Sequence, residues 1–201
     1  MIDEGYIKFE LDWVEGPPPD SAAIAELRRW RRPLYEAGLI GHYDDLGIGF
    51  GNLSVRSRGE GHFVISGTQT GHLADPDERH YALVTDYDID ANRVTCRGRT
   101  RASSESMTHA ALYELSPAIN AVAHVHSLSL WRRLRDVLPT TAADIAYGTP
   151  QMAREFRRLF EETDFGRDGI AVMAGHEEGI VATGGDLRQA ARRILDLPER
   201  G

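Results

Sequence analysis

Ala121-Val122-Ala123-His124-Val125-His126 is a short apolar run carrying two histidines set two residues apart. Its length suits a strand better than a helix, and a run this apolar reads as a strand buried within a sheet. Residues two apart along a strand point to the same face, so both imidazoles project side by side at a spacing that suits one metal ion. The pair alone also fits two hydrogen-bonded histidines at a sheet surface, and a third ligand separates the two readings. His176 is the leading candidate: it shares the parity of Ile170, Val172 and Ala174, so a strand could deliver it to a sheet edge beside the first pair. A hairpin tip in solvent is its alternative. Three imidazoles would leave a coordination position open, which is the arrangement of a catalytic rather than a structural zinc. His72 and His80 lie in a polar loop and are expected to be exposed.

Working outward from that strand, Ile24, Leu27, Trp30 and Leu34 recur at helical spacing, with Asp20 or Ser21 as cap, Gly38 as the stop and Pro33 as an expected kink. A glycine-rich loop leads into Asn52-Leu53-Ser54-Val55-Arg56, whose alternation predicts a strand, and His62 to Ser66 predicts another. Ser103-Ser104 should cap a helix over Glu105 to Leu115. Further helices are expected from about Ser129 to Leu138, after Thr149-Pro150, and after Asp186, which with Gln189 resembles a capping box. Strands are expected at Ile170 to Ala174 and Ile180 to Ala182. Strands and helices interleaved in this irregular way predict a layered α/β domain with a mixed sheet.

The chain has 201 residues, enough for one domain. Pro17-Pro18-Pro19 separates an expected leader, residues 1–19, from a single domain over residues 20–201. The net charge of -8 opposes binding to phosphate backbones or acidic membranes, so neither nucleic acid nor membrane is an expected partner. Arg97, Arg99 and Arg101 are the local exception; they read as a solvated loop, with steering of a small anion as the alternative. No apolar run approaches a membrane span, and the acidic MIDEGYIKFELDW is unlike a signal peptide, which predicts a cytoplasmic protein. The single cysteine, Cys96, excludes intrachain disulfides and reads as an apolar filler.

Glu105 stands in the first turn of its predicted helix, where the positive end favours carboxylates whatever their purpose. The functional reading is that helix amides and the Ser103 and Ser104 hydroxyls form an anion pocket beside a carboxylate able to move a proton. His109 would share the face of Glu105, in packing or hydrogen bonding rather than metal ligation.

Gly51-Asn52-Leu53-Ser54-Val55-Arg56, Thr70-Gly71, Ser103-Ser104-Glu105, His124-Val125-His126 and His176 before Gly179-Ile180-Val181-Ala182-Thr183-Gly184 occur in an order that resembles the class II aldolase/adducin family, from about Ile24 to Leu195. The resemblance implies a three-layer α/β/α sandwich with a largely antiparallel central sheet, and a homotetramer carrying a divalent metal, most simply zinc, at each subunit boundary. It implies metal ligation by His124, His126 and His176, acid/base work by Glu105, and phosphate binding by Asn52, Thr70, Gly71, Ser103 and Ser104. The implied chemistry is reversible aldol cleavage of a small hydroxyketone or sugar phosphate through a metal-stabilised enediolate. An epimerase or dehydratase on the same scaffold and a non-catalytic adducin-like interaction module are the alternatives. The chain departs from the family pattern after His176, where Glu177 and Glu178 intervene before the glycine and Glu178 is a rival ligand. It departs again in lacking a clear tyrosine proton donor, for which Tyr147 is a loose substitute.

Overall fold

The stretch Ala121–His126 forms a strand in which all six residues are buried, as its composition requires. We describe residues 5–59 and 61–197 from a computed structural model; residues 1–4 of the expected leader and 198–201 of the expected domain lie outside the described residues. Along the chain the elements are β1 (Glu10–Glu15), α1 (Ser21–Glu36), β2 (Gly41–Tyr43), β3 (Ile48–Phe50), β4 (Asn52–Arg56), β5 (Phe63–Ser66), β6 (Tyr81–Asp88), β7 (Arg93–Gly98), α2 (Ser106–Leu115), β8 (Ala121–His126), α3 (Leu128–Leu134), α4 (Pro150–Glu162), α5 (Phe165–Asp168), β9 (Ile170–Val172), β10 (Gly179–Gly184) and α6 (Leu187–Leu195).

Eight strands make one sheet in the order β1-β7-β6-β5-β4-β8-β10-β9, antiparallel at every step except the parallel pairing of β1 with β7. The fold is therefore mixed α/β around a large, mostly antiparallel sheet. Strand alternation divides the core in two. Ala121, Ala123 and Val125 face one apolar cluster with Ile24, Leu27 and Leu34 of α1 and Leu187 and Ile194 of α6. Val122 faces the other, with Met107 and Leu112 of α2 and Met152 and Phe156 of α4. His124 and His126 share the parity of Val122 and so lie on the α2 side.

The helix boundaries have local causes. Asp20 accepts a hydrogen bond from the Ala23 amide at 3.3 Å and opens α1. The helix closes in a Schellman arrangement, with Gly38 at φ +69°, its amide on Tyr35 O and the Leu39 amide on Leu34 O, each at 2.9 Å. Thr149 caps α4 ahead of Pro150, and Asp186 caps α6. Pro33 does not interrupt α1, which runs on to Glu36.

Several expected boundaries are corrected. Ser103-Ser104 does not cap α2 directly: the helix begins at Ser106 with Glu105 as its N-cap residue. Instead the Ser103 hydroxyl accepts the Glu105 amide at 3.2 Å, in the turn before the helix. The strand read as Ile170 to Ala174 ends at Val172, and α3 runs from Leu128 to Leu134 rather than from Ser129 to Leu138. Within the stretch set apart as a leader, β1 joins the sheet edge, and Arg97 belongs to β7 rather than to a loop. Cys96 is fully buried, in keeping with its filler role.

Candidate functional site

Five strand positions build the floor of the site. In the sheet register Asn52 of β4 lies opposite His124, while Val181 and Gly179 of β10 lie opposite His124 and His126. The third imidazole arrives by a route the parity argument did not foresee. His176 sits in the turn between β9 and β10, tied down by its amide to Met173 O at 3.1 Å and by its carbonyl to the Gly179 amide at 2.9 Å. That turn brings the His176 ring beside the two imidazoles of β8.

The three rings converge. Their centroids lie 5.0 Å (His124–His126), 5.1 Å (His124–His176) and 4.8 Å (His126–His176) apart, and one nitrogen from each falls within 4.8 Å of the others. His126 Nε2 and His176 Nε2 are 3.1 Å apart, a separation that a shared proton or a shared cation would account for. All three side chains are buried. Burial holds His124 down to about pKa 3, and holds His126 and His176 well below the usual histidine range, each further opposed by the neighbouring rings. The imidazoles are therefore neutral at pH 7.

Glu105 stands beside them, its Oε1 3.4 Å from His176 Nε2, and is 1% exposed. Burial pushes its carboxyl up to about 7, against the opposing pull of the Thr108 hydroxyl and the Lys8 ammonium. Neither carboxyl oxygen has a hydrogen bond of good geometry, and His124 Nε2 is likewise buried without one. Buried polar atoms left unsatisfied in this way are rare in folded proteins and mark a place where a partner belongs.

The remaining expected residues divide as follows. Asn52, Thr70, Gly71, Ser103 and Ser104 line one cavity of about 20 Å³, room for about one water, with Gln69 and Gly5 also at its walls. Asn52 has a second contact, its side-chain nitrogen lying 3.3 Å from His124 Nδ1. Exchanging the amide oxygen and nitrogen would let Oδ1 accept an Nδ1–H and free the Nε2 lone pair. His109 bonds to Ser54 Oγ at 2.7 Å, consistent with the expected hydrogen-bonding role. His72 is exposed, whereas His80 is half-buried against Asp77. Glu178 does not join the cluster at its ligand edge; its Oε2 lies on the other edge of the His126 ring, 3.9 Å from Nδ1. The Tyr147 hydroxyl is bonded to the Tyr6 main chain on both sides, accepting from the amide at 3.1 Å and donating to the carbonyl at 3.2 Å, while its ring lies 4.4 Å from that of His176.

Three contributors escaped the sequence reading. Lys8 places its ammonium 3.6 Å over the Tyr147 ring. Tyr43 reaches His126 from β2. Arg31 is 1% exposed and donates from Nε to Leu73 O at 2.9 Å and from Nη2 to Thr70 O at 2.8 Å and Gly71 O at 3.2 Å, so it anchors the loop that carries Thr70 and Gly71. Its place was visible in the spacing: position 31 is four beyond Leu27 and three before Leu34, on the apolar stripe. Nothing comparable announced Lys8, because the contact spans the chain.

A sequence model described as the class II aldolase and adducin N-terminal domain matches residues 34–199. Among solved structures, YgbL from Escherichia coli, described by the candidate activities aldolase, epimerase and decarboxylase, superposes with a TM-score of 0.62 at 18% identity over 90% of this chain and 91% of its own. The L-fuculose-1-phosphate aldolase of Thermus thermophilus gives 0.59 at 20% identity over 87% and 90%, and a sugar-phosphate aldolase of Thermotoga maritima 0.59 at 17% over 87% and 90%. At these identities the likeness is one of fold. No helix among the described residues is long and apolar enough to cross a membrane.

Proposed function

The chain belongs to the class II aldolase and adducin family, and from that premise we propose that it is a divalent-metal-dependent lyase acting on a small hydroxyketone or sugar phosphate by reversible aldol cleavage. One observation carries the proposal: three buried neutral imidazoles meet a buried carboxyl group of raised pKa, with Glu105 Oε1 3.4 Å from His176 Nε2. The donor set fits a cation. Tetrahedral nitrogen ligands about 2.1 Å from zinc stand about 3.4 Å apart, near the 3.1 Å between His126 and His176, and His124 Nε2 and the Glu105 oxygens, buried without a well-formed hydrogen bond, are what a shared ion would satisfy. His124, His126 and His176 would hold it. A divalent ion held there would supply Lewis-acid polarisation of a hydroxyketone substrate and would offset the negative charge that develops when a carbon–carbon or α-C–H bond breaks.

The chain supplies the rest. In the metal-free fold the Glu105 carboxyl is raised to about 7, and a divalent ion beside it would favour the carboxylate, the form that can take a proton from substrate and return it. The Ser103 and Ser104 hydroxyls, Thr70, Gly71 and the Asn52 amide form the subsite for a phosphate, whose binding would orient the reacting carbons. Phosphate is larger than the present cavity, so its entry displaces the Gln69 side chain and the segment at Gly5 that lie along the walls.

A second reading is favoured by Tyr147. Because its hydroxyl is engaged by the Tyr6 main chain, Glu105 is left as the principal proton carrier, which suits a reaction served by one carboxyl group: dehydration, in which Glu105 takes the α-proton and passes it to the hydroxyl that departs as water, or epimerisation in which a carbon–carbon bond breaks and re-forms on the opposite face and Glu105 returns the hydroxyl proton it took. The family also brings the expectation of a homotetramer, which sedimentation equilibrium checks directly.

The test is elemental analysis of purified protein, joined to a screen of phosphorylated and free hydroxyketones for cleavage, epimerisation and water loss. Stoichiometric divalent metal is expected, and His124→Ala should abolish its uptake. A chain with no stoichiometric metal and an unchanged melting temperature in chelator would instead be a non-catalytic interaction module, and the proposal would fall.

A further inference from the structure

The β2–β3 hairpin is a two-stranded sheet separate from the main one, and its side chains explain its placement. Phe50 stacks on His126, with ring centroids 5.4 Å apart and planes inclined by 26°, and Tyr43 packs against Phe50 at 4.5 Å. The Tyr43 hydroxyl lies 3.1 Å from His126 Nδ1 and donates to Glu178 Oε2 at 2.5 Å. Glu178 makes this contact from a strained backbone, at φ +70°, a conformation that favours glycine and that a glutamate adopts at a cost. Its carbonyl accepts the Ser127 amide at 3.0 Å, which ties the turn to the end of β8.

We propose that Tyr43 and Glu178 are positioning residues for His126, fixing its tautomer and ring orientation and so setting the affinity of the three-histidine cluster for a divalent ion. The inference rests on the metal-binding reading given above. A phenol has one proton, and Tyr43 commits it to the Glu178 carboxylate, so its oxygen can only accept from the ring. Nδ1 then carries the hydrogen, and the Nε2 lone pair is the one left facing His176 Nε2. Outer partners of this kind fix the tautomer of metal-bound histidines and raise their basicity. Phe50 on the ring face and Tyr43 at its edge restrict rotation of the imidazole, so the donor is held in place before the ion arrives. The left-handed glutamate fits the same logic: glycine at position 178 would relieve the backbone and would remove the carboxylate on which the proton order depends.

The experiment is a competition titration of zinc into the full chain against a chromophoric chelator. Tyr43→Phe and Glu178→Gln are each expected to weaken zinc about tenfold to a hundredfold. Glu178→Gly separates positioning from folding, because it should weaken zinc by as much while leaving the melting temperature of the metal-free protein unchanged or higher. Nitrogen-15 spectra of the imidazoles report the tautomer directly: His126 should be protonated at Nδ1 in the wild type and should lose that preference in Tyr43→Phe. Zinc affinities of Tyr43→Phe and Glu178→Gln within twofold of wild type overturn the inference and leave the metal reading standing. A wild-type chain that takes up no divalent ion overturns both.

Discussion

Replacing Glu105 by glutamine would separate the proposed catalytic role from stability, because the same burial that would prepare the carboxyl group for proton transfer makes it a burden on the metal-free fold. Its folded-state pKa is about 7 against an ordinary 4.5, with burial as the leading cause. At about 1.4 kcal/mol for each tenfold change, that difference amounts to roughly 3 kcal/mol. For an acid whose pKa is raised by folding, the folded state binds the proton more tightly, so stability is fully present below pH 4.5 and is lost as pH rises towards 7. Glutamine keeps the shape and cannot ionise. The metal-free variant should therefore gain on wild type with rising pH, by nothing near pH 4 and by on the order of 3 kcal/mol at pH 8, or roughly 6 to 12 °C in melting temperature for a domain of this size. The buried amide carries its own constant penalty, so the slope with pH is the diagnostic quantity. Thermal melts of chelator-treated wild type and Glu105→Gln at pH 5, 6, 7 and 8 measure it, and adding zinc should close the gap. Turnover of the zinc-loaded variant should be lost. A stability difference that stays flat from pH 5 to 8, or turnover that survives the substitution, would refute the assignment of Glu105 as a buried proton carrier.

Two other substitutions probe the loop that carries Thr70 and Gly71. Arg31→Met removes three charge-assisted hydrogen bonds and leaves the carbonyls of Gly71 and Leu73 in need of partners, at a loss of roughly 2 to 4 kcal/mol. Amide hydrogen exchange should then accelerate at Thr70 to Leu73 before it does in the strands, and equal protection in both proteins would show that Arg31 does not anchor the loop. Gly71→Ala drives a Cβ into Gly41 O and to 2.7 Å from Gly49 Cα, contacts that only a shift of backbone can relieve. Its unfolding midpoint in urea should fall by an amount equivalent to about 2 kcal/mol or more, and a variant as stable as wild type would mean that the loop approaches the hairpin less closely than described.

What the sequence disclosed and what it concealed follow from the range of the forces involved. Strand β8 was legible because a short, continuously apolar run is a local signal, and the direction of side chains two apart on a strand needs nothing else to set it. The caps at Asp20, Thr149 and Asp186 were legible for the same reason, each being a contact made within three residues. His176 does lie with the His124–His126 pair, though not by the route expected. Parity from Ile170 would hold only if the strand continued, whereas three hydrogen bonds, from the Met173 amide to Gly179 O, the His176 amide to Met173 O and the Gly179 amide to His176 O, carry the chain round after Val172. Position in space survived although the dihedral route to it did not, since a turn flanked by two paired strands has little choice about where its middle lies. Strands β6 and β7 went unread because their outward positions, among them Asp86, Asp88, Arg93 and Arg97, break the apolar pattern at a sheet region covered on one face only. Strand β1 hid behind the three prolines. Its residues are almost all exposed, so it holds the sheet edge through backbone pairing with β7, which leaves no mark in side-chain polarity. The same reasoning applies to Lys8, Tyr43 and Arg31. Each acts on the site across many residues of chain, and of the three only Arg31 stood on a periodic face where a charged side chain was out of place.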